Sequence, residues 1–304
     1  MHPIPYEVVD VFTNTPFGGN PLAVIPDARG LAPDVMQRLA AEFGYSETTF
    51  VFPPASPGHS AQVRIFTPVA EVPFAGHPNV GTAFVLARRS ALFGQTAGDA
   101  MIFEEQAGLV PVRIERRDGV VSGATITAPQ KLAIGPEVPA DVVAGCASLA
   151  VDAIALDRHS PLVLSVGLPF AFAEVSSRQA LAQARPNRER FVAADSMVPM
   201  VGGFSLFLYV RDAAQPHHLY ARMFAPLDNV PEDPATGSAS AALAAYLVTR
   251  RPEPNADVML TIEQGEDMGR PSHLRLPVTK RNGAVEQVSV GGDCVSVMRG
   301  ELLV

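Results

Sequence analysis

Two stretches of this 304-residue chain repeat each other in order. Arg64-Ile65-Phe66-Thr67-Pro68 returns as Arg222-Met223-Phe224-Ala225-Pro226, an offset of 158 (222 − 64). Glu71-Val72-Pro73 returns as Asn229-Val230-Pro231 at the same offset of 158 (229 − 71). His77-Pro78-Asn79-Val80-Gly81-Thr82-Ala83 then reads against Asp233-Pro234-Ala235-Thr236-Gly237-Ser238-Ala239 at an offset of 156 (233 − 77), as if two residues had dropped out. Glu105-Gln106 reads against Glu263-Gln264, again at 158 (263 − 105). Four matches in the same order point to two copies of one supersecondary unit. Each copy takes roughly half the chain, so this is a duplicated domain and not a solenoid of short repeats.

Patterning inside the copies fills in the elements. Residues 6–12 alternate apolar and polar and read as a strand, followed by a short one at 21–25. Residues 33–43 carry Val35, Met36, Leu39 and Ala40 at helical spacing, with Pro33 in the first turn and Gly44 as the stop. Strand-rich runs follow at 48–52 and 62–66, then a helix over 78–88 that is apolar on most faces and so reads as buried. Strands at 101–105, 110–116 and 121–126 complete the half, with Asp118-Gly119 marking a hairpin. The second half gives strands at 162–166, 204–210 and 219–224, a long apolar helix at 234–248, and a hairpin at Asn282-Gly283. Three prolines within 128–139 mark a linker. The expected fold is α+β: two pseudo-symmetric lobes, 1–128 and 129–304, each a curled β-sheet around a central helix, with the final strand free to return to the N-terminal lobe.

Composition narrows the function. At 47% hydrophobic and 18% charged residues the chain is no disordered polymer. It carries 23 basic and 31 acidic residues, net −8, and its densest basic cluster, Arg185, Arg188 and Arg190, is shared with Glu189. No basic stripe exists for nucleic acid or an anionic membrane. The most apolar stretch, 239–248, is about half a membrane span. Cys146 and Cys294 form no CxxC or Cys/His spacing, so neither a zinc site nor any other metal site is expected. Residues 1–9 show no basic n-region or apolar h-region of a signal peptide, and the cytoplasm is the expected compartment.

The chemistry lies where the repeats open their central helices, at X-Pro-x-x-Gly-[Ser/Thr]-Ala. Proline suits a first helical position, and the N–H groups beyond it point out of the helix beside the positive end of its dipole. Two such starts facing each other make a cleft for a carboxylate or an enolate. His77 and Asp233 precede the two prolines. Each alone could be a helix cap; matched in both copies, they point to proton transfer. Gly44-Tyr45-Ser46-Glu47-Thr48-Thr49-Phe50 places a carboxylate between a helix stop and an apolar strand. Glu47 is either a solvated turn residue or a base whose pKa is raised by an apolar wall of Phe43, Tyr45 and Phe50. Phe17-Gly18-Gly19-Asn20-Pro21 is a Gly-rich turn without the dinucleotide fingerprint. There is no Walker A, HExxH or GxSxG, and His217-His218 has no third ligand nearby.

Taken together, Phe17-Gly18-Gly19-Asn20-Pro21-Leu22-Ala23-Val24, Tyr45-Ser46-Glu47-Thr48, Arg64-Ile65-Phe66-Thr67-Pro68, Phe74-Ala75-Gly76-His77-Pro78, Asp233-Pro234-Ala235-Thr236-Gly237-Ser238-Ala239 and Gly269-Arg270-Pro271-Ser272 resemble the PhzF-like family of phenazine biosynthesis. The resemblance runs over essentially the whole chain. It implies the diaminopimelate-epimerase-like fold, with the active site between the lobes. It implies Glu47 as general acid/base, His77 and Asp233 as supporting catalytic residues, and Ser46, Gly76, Gly237 and Ser238 as substrate-binding residues. Related epimerases and racemases open these helices with a cysteine pair; here His77 and Asp233 stand there, which disfavours a two-thiol mechanism. The implied activity is a cofactor-independent isomerase of a small cyclic carboxylate, such as trans-2,3-dihydro-3-hydroxyanthranilate isomerase, working as a homodimer. Two alternatives stay open: a non-catalytic small-molecule binding protein on the same fold, and an amino-acid epimerase that does without thiols.

Overall fold

The structure, a computed structural model, describes residues 3–94 and 98–304. Its strands join into one continuous 17-stranded sheet that curls twice. In the first lobe Ile4–Val11, Asn20–Ile25, Glu47–Phe52, Ala61–Phe66, Ala100–Glu105, Gly108–Arg117 and Val120–Thr127 follow one another around a ring. The ring is closed by the last strand, Ala284–Leu302, which pairs with Val120–Thr127 on one side and with Ile4–Val11 on the other. Closure leaves this lobe without a free sheet edge. In the second lobe Leu162–Ser165, Pro169–Glu174, Leu206–Arg211, His218–Ala225, Ala256–Gln264, Ser272–Arg281 and the opening part of Ala284–Leu302 repeat the same order.

The two parallel pairings fall at the same places in both rings. Asn20–Ile25 runs parallel to Glu47–Phe52, and Pro169–Glu174 to Leu206–Arg211. Ala61–Phe66 runs parallel to Ala100–Glu105, and His218–Ala225 to Ala256–Gln264. A parallel pair needs a crossover, and helices fill the crossovers. The first of each lobe carries outer helices, Pro33–Phe43 in one and Arg178–Gln183 with Arg188–Met197 in the other. The second carries the central helix, Gly76–Ala87 or Gly237–Thr249. Every residue of Gly76–Ala87 except the last is buried, as an all-round apolar helix must be. Both central helices lie in the same hydrophobic core as the strands that wrap them.

Three sequence expectations shift. The segment 128–139, read as linker, holds the strand Ala133–Glu137, fully exposed and paired with Leu162–Ser165; Pro136 is tolerated because the strand lies at an edge. Helices Ala140–Ala147, Arg178–Gln183 and Arg188–Met197 were not legible, being short or weakly periodic. The central helices do not begin at proline. Pro78 is the third residue of Gly76–Ala87, where an N–H would still be unpaired. Pro234 stands before its helix, which begins at Gly237.

The reason is a difference in the hairpin that leads to each helix. Ile65 pairs with Val72 in the first lobe. Met223 is the equivalent of Ile65, and the equivalent of Val72 by sequence offset is Val230. Met223 nevertheless pairs with Asp233, three positions past Val230. The same three positions carry through to the helices, which start at Gly76 and Gly237. His77 therefore corresponds to Ser238 across the pseudo-twofold, and Asp233 has Val72 as its counterpart.

Candidate active site

The two helix starts meet at the lobe interface. A Cβ built on Gly76 would lie 2.6 Å from Gly237 Cα, Gly237 C and Ser238 N, so only glycine allows this approach. The first N–H groups of each helix have no intrahelical acceptor, and both positive dipole ends point into one cleft. Ser46, Glu47, Gly76, His77, Asp233, Gly237 and Ser238 all line that cleft, so every residue singled out from the sequence as a site residue reaches one cavity. Leu168, Phe170, Val201 and Met223 contribute apolar wall.

Asp233 ends the strand Val230–Asp233 and is buried. Its carboxylate accepts from Ser46 Oγ at 2.6 Å, Thr236 Oγ1 at 2.6 Å and Asn20 Nδ2 at 2.7 Å. Burial still outweighs these donors and holds its pKa above the usual carboxylate range. Glu47, first residue of Glu47–Phe52, has no hydrogen-bond donor among the described residues; its nearest basic atom is His77 Nδ1, 3.7 Å from Oε2. Burial, then the negative charges of Asp233 and Asp228, raise Glu47 well above the ordinary value. The two carboxyls thus sit in unlike settings: Asp233 accepts from three donors, which favour its charged form, and Glu47 from none among the described residues.

His77 sits in the first turn of Gly76–Ala87 and is buried, which pushes its pKa down to about 3. It is a neutral imidazole at physiological pH, so it does not oppose the rise at Glu47 as an imidazolium would. Its Nδ1 lies 3.2 Å from Asn20 Nδ2. The two hydrogens of that amide are already directed to Asp233 Oδ1 and, at 2.9 Å, to Ala235 O. His77 Nε2 is buried without a partner among the described residues, an unused polar atom in the wall of the cleft.

The apolar wall differs from the expected one. Phe43 stacks on Tyr45 and meets Tyr6 edge-on, and Phe50 packs on Phe66; none of Phe43, Tyr45 and Phe50 lines the cleft. The apolar lining of the cleft comes instead from Val72 and Ala75 of the first lobe and from Leu168, Phe170, Val201 and Met223 of the second. Cys146 and Cys294 are buried outside the cleft, with burial pushing Cys146 up to about 12 and raising Cys294 as well. His217 and His218 lie in the strand region of the second lobe, His218 bonded to Thr261.

Sequence reasoning missed four residues. Asn20 bridges Asp233 and the second-lobe backbone from a turn read as a family motif but assigned no site residue. The turn is held by Arg270, whose guanidinium donates to Gly19 O and Gly18 O at 2.8 Å and pairs with Asp10 at 2.6 Å. Gly19 has φ +62°, and a Cβ there would strike Val11 O at 2.3 Å. Gln264 clasps the other side: its Nε2 donates to Asp233 O at 2.7 Å and Thr236 Oγ1 at 3.1 Å, and its Oε1 accepts from Thr236 N at 3.1 Å. Thr236 caps that network. Asp228 brings a third carboxyl to the cleft, pushed up to about 6 by burial and by Asp195. The repeated Glu-Gln pair was the one available signal for Gln264; Asp228 left none.

Comparison with known proteins gives the family and the fold. The family profile described as phenazine biosynthesis-like protein, PhzC-PhzF, matches residues 9–300. The trans-2,3-dihydro-3-hydroxyanthranilate isomerase of Pseudomonas aeruginosa is 34% identical, covering 97% of this chain and 98% of its own. An uncharacterized isomerase of Mesorhizobium japonicum is 34% identical, covering 98% of both chains. The crystal structure of a phenazine biosynthesis protein of the PhzF family from Bacillus anthracis superposes with TM-score 0.86 at 25% identity over 100% of both chains.

Proposed function

The chain belongs to the phenazine biosynthesis-like PhzC-PhzF family and is an isomerase of the PhzF type, and on that premise we propose that Glu47 moves a proton on a small cyclic carboxylate. Trans-2,3-dihydro-3-hydroxyanthranilate is the first substrate to test. The observation that carries the reading is the carboxyl of Glu47. It faces the cleft with no hydrogen-bond donor among the described residues and a raised pKa, beside a neutral His77 and an Asp233 that accepts from three donors.

The ionised Glu47 takes a proton from carbon and becomes the acid. The electron pair left behind spreads over the adjoining unsaturation. The free N–H groups at Gly76, Gly237 and Ser238 hold the substrate carboxylate and receive part of that charge. The protonated Glu47 then returns the proton to another carbon on the same face, so atoms and electrons balance with no cofactor. His77 and Asp233 orient the ring, and Asp233 keeps the pKa of Glu47 high enough for it to serve as acid and base in turn. Ser46 supports Asp233. No cysteine lines the cleft, which favours a carboxyl mechanism over a two-thiol one. The same reading makes the protein a cytoplasmic homodimer, and a sedimentation mass of one chain would count against the dimer.

Two measurements decide the chemistry. Turnover in deuterium oxide labels the product only as far as the Glu47 proton exchanges with solvent before its return. Glu47→Gln stops turnover while ligand binding persists. A Glu47→Gln enzyme with most of its activity would sink the assignment.

A further inference from the structure

Gln264 has a counterpart in the first lobe that the mechanism has not used. Ala221 pairs with Gln264 and Tyr220 with Glu263; in the first lobe Gln62 pairs with Glu104. Gln62 and Tyr220 are equivalent at the strand offset of 158 (220 − 62), so the residue after Glu104 stands where Gln264 stands. That residue is Glu105, so the strand pairing sets Glu105, one position before the Gln106 matched by sequence, against Gln264. It lies against Asn79 of the first central helix, whose side chain as a donor favours the ionised carboxyl, though burial outweighs it.

These two side chains carry three polar atoms without partners. Both carboxyl oxygens of Glu105 and the Oδ1 of Asn79 are buried and unbonded among the described residues. Asn79 Nδ2 is engaged, donating to Ala75 O at 2.9 Å, and Ala75 is the N-cap of Gly76–Ala87. The charged groups near Glu105 offer it nothing. Arg64 donates to both oxygens of Glu71, at 2.8 and 2.7 Å. Glu104 is taken by Ala55 N, Ser56 N and His59. An ionised carboxylate buried with no cation among the described residues to pair it is the costly arrangement; a carboxylic acid removes that charge and offers a donor to the unpartnered Asn79 Oδ1.

We propose that Glu105 is a positioning residue that works as a neutral acid. Its O–H grips Asn79 Oδ1, Asn79 grips the carbonyl of Ala75, and the chain fixes the helix start that carries Gly76 and His77. Gln264 does the same for Asp233 and Thr236 across the pseudo-twofold. Each lobe thus sets its half of the cleft with an uncharged side chain from the equivalent strand position. Burial raises the Glu105 pKa well above the ordinary value, in keeping with this.

The test compares Glu105→Gln and Glu105→Ala with the wild type. Thermal and denaturant unfolding across pH reads the protonation state without any enzyme assay. If folded Glu105 keeps its proton where the unfolded chain loses it, the wild type weakens relative to Glu105→Gln above about pH 4.3, by up to roughly tenfold in the folding constant per pH unit until the folded pKa is passed. A Glu105→Gln protein less stable than wild type at pH 8 would overturn the neutral acid. Positioning is read from the His77 ring signals in a 15N-histidine-labelled protein. Glu105→Gln leaves them in place, while Glu105→Ala shifts or broadens them in a folded protein. Unmoved His77 signals in folded Glu105→Ala overturn the positioning role. The kinetic arm alone rests on the isomerase reading: Glu105→Gln retains kcat within about twofold, and Glu105→Ala loses roughly tenfold with KM little changed. If the wild type fails to turn over trans-2,3-dihydro-3-hydroxyanthranilate, that reading falls, and the unfolding and resonance arms still decide Glu105.

Discussion

Replacing Gly76 by alanine drives a methyl group into the backbone of the opposite lobe. The new Cβ would stand 2.6 Å from Gly237 Cα, Gly237 C and Ser238 N, whereas ordinary contact begins at 3.4 Å. All three atoms are main chain, so no side chain can swing aside, and the helix starts themselves must part. Overpacking of this kind costs about 1–3 kcal/mol of stability. The larger effect falls on chemistry, because Glu47 and His77 come from the first lobe and Asp233 and Ser238 from the second. Misplacing reacting groups by an ångström can lower a rate by about 10²-fold. Gly237→Ala is the internal control. Its Cβ would meet Gly76 Cα at 3.0 Å, only half the shortfall from ordinary contact that Gly76→Ala creates. Steady-state isomerase kinetics and thermal unfolding of both variants should rank Gly76→Ala well below Gly237→Ala in kcat, with a smaller gap in stability. Gly76→Ala within twofold of wild type, or less damaged than Gly237→Ala, would refute the claim that the close approach of the helix starts aligns the site.

Glu47→Gln should lower kcat by about 10²–10⁴-fold, the usual yield of general acid–base catalysis, with ligand affinity by calorimetry little changed. The pH–rate profile should show its acid limb above the ordinary Glu value of about 4.3, since the base exists only above the raised pKa of Glu47. Asp233→Asn removes a like charge from Glu47 and should move that limb to lower pH; an unmoved limb would separate the two carboxyls. His77→Asn should lower kcat without shifting the limb, because the imidazole is already neutral with a pKa of about 3; a shifted limb would reveal an imidazolium. Thiol alkylation of the folded protein should be slow and leave activity intact, as Cys146 and Cys294 are buried outside the cleft; rapid inactivation without unfolding would restore cysteine to the mechanism.

The duplication made the architecture readable before any coordinates, because helix periodicity and strand alternation recur in the same order in both halves. It also produced the main error. Matching His77-Pro78 to Asp233-Pro234 follows side-chain identity, and identity here crosses the true register. The hairpin before the second helix is longer than its twin, a fact carried by pairing Met223 with Asp233 and invisible in the proline spacing. The site residues were still found together, since both prolines sit close to a helix start. Asn20, Gln264 and Asp228 escaped because long-range contact defines them. Nothing local distinguishes a buried bridging amide from a turn residue, or a cleft carboxyl from a solvated one.

In the proposed mechanism, that difference in hairpin length is what lets a duplicated scaffold do one-sided chemistry. Two identical halves would present two identical helix starts, enough to hold an anion between them but with no reason for a proton to move one way. Lengthening one hairpin replaces the apolar Val72 position with Asp233 and delivers a carboxylate to the floor of the cleft. In the other lobe the corresponding helix turn carries a neutral imidazole, His77, where the second carries Ser238. Glu47, entering from the first lobe, then faces the hydrogen-bonded carboxyl of Asp233 on one side and an uncharged ring on the other. On that proposal symmetry supplies the anion cradle, and the broken register supplies the unlike carboxyl settings that proton transfer needs.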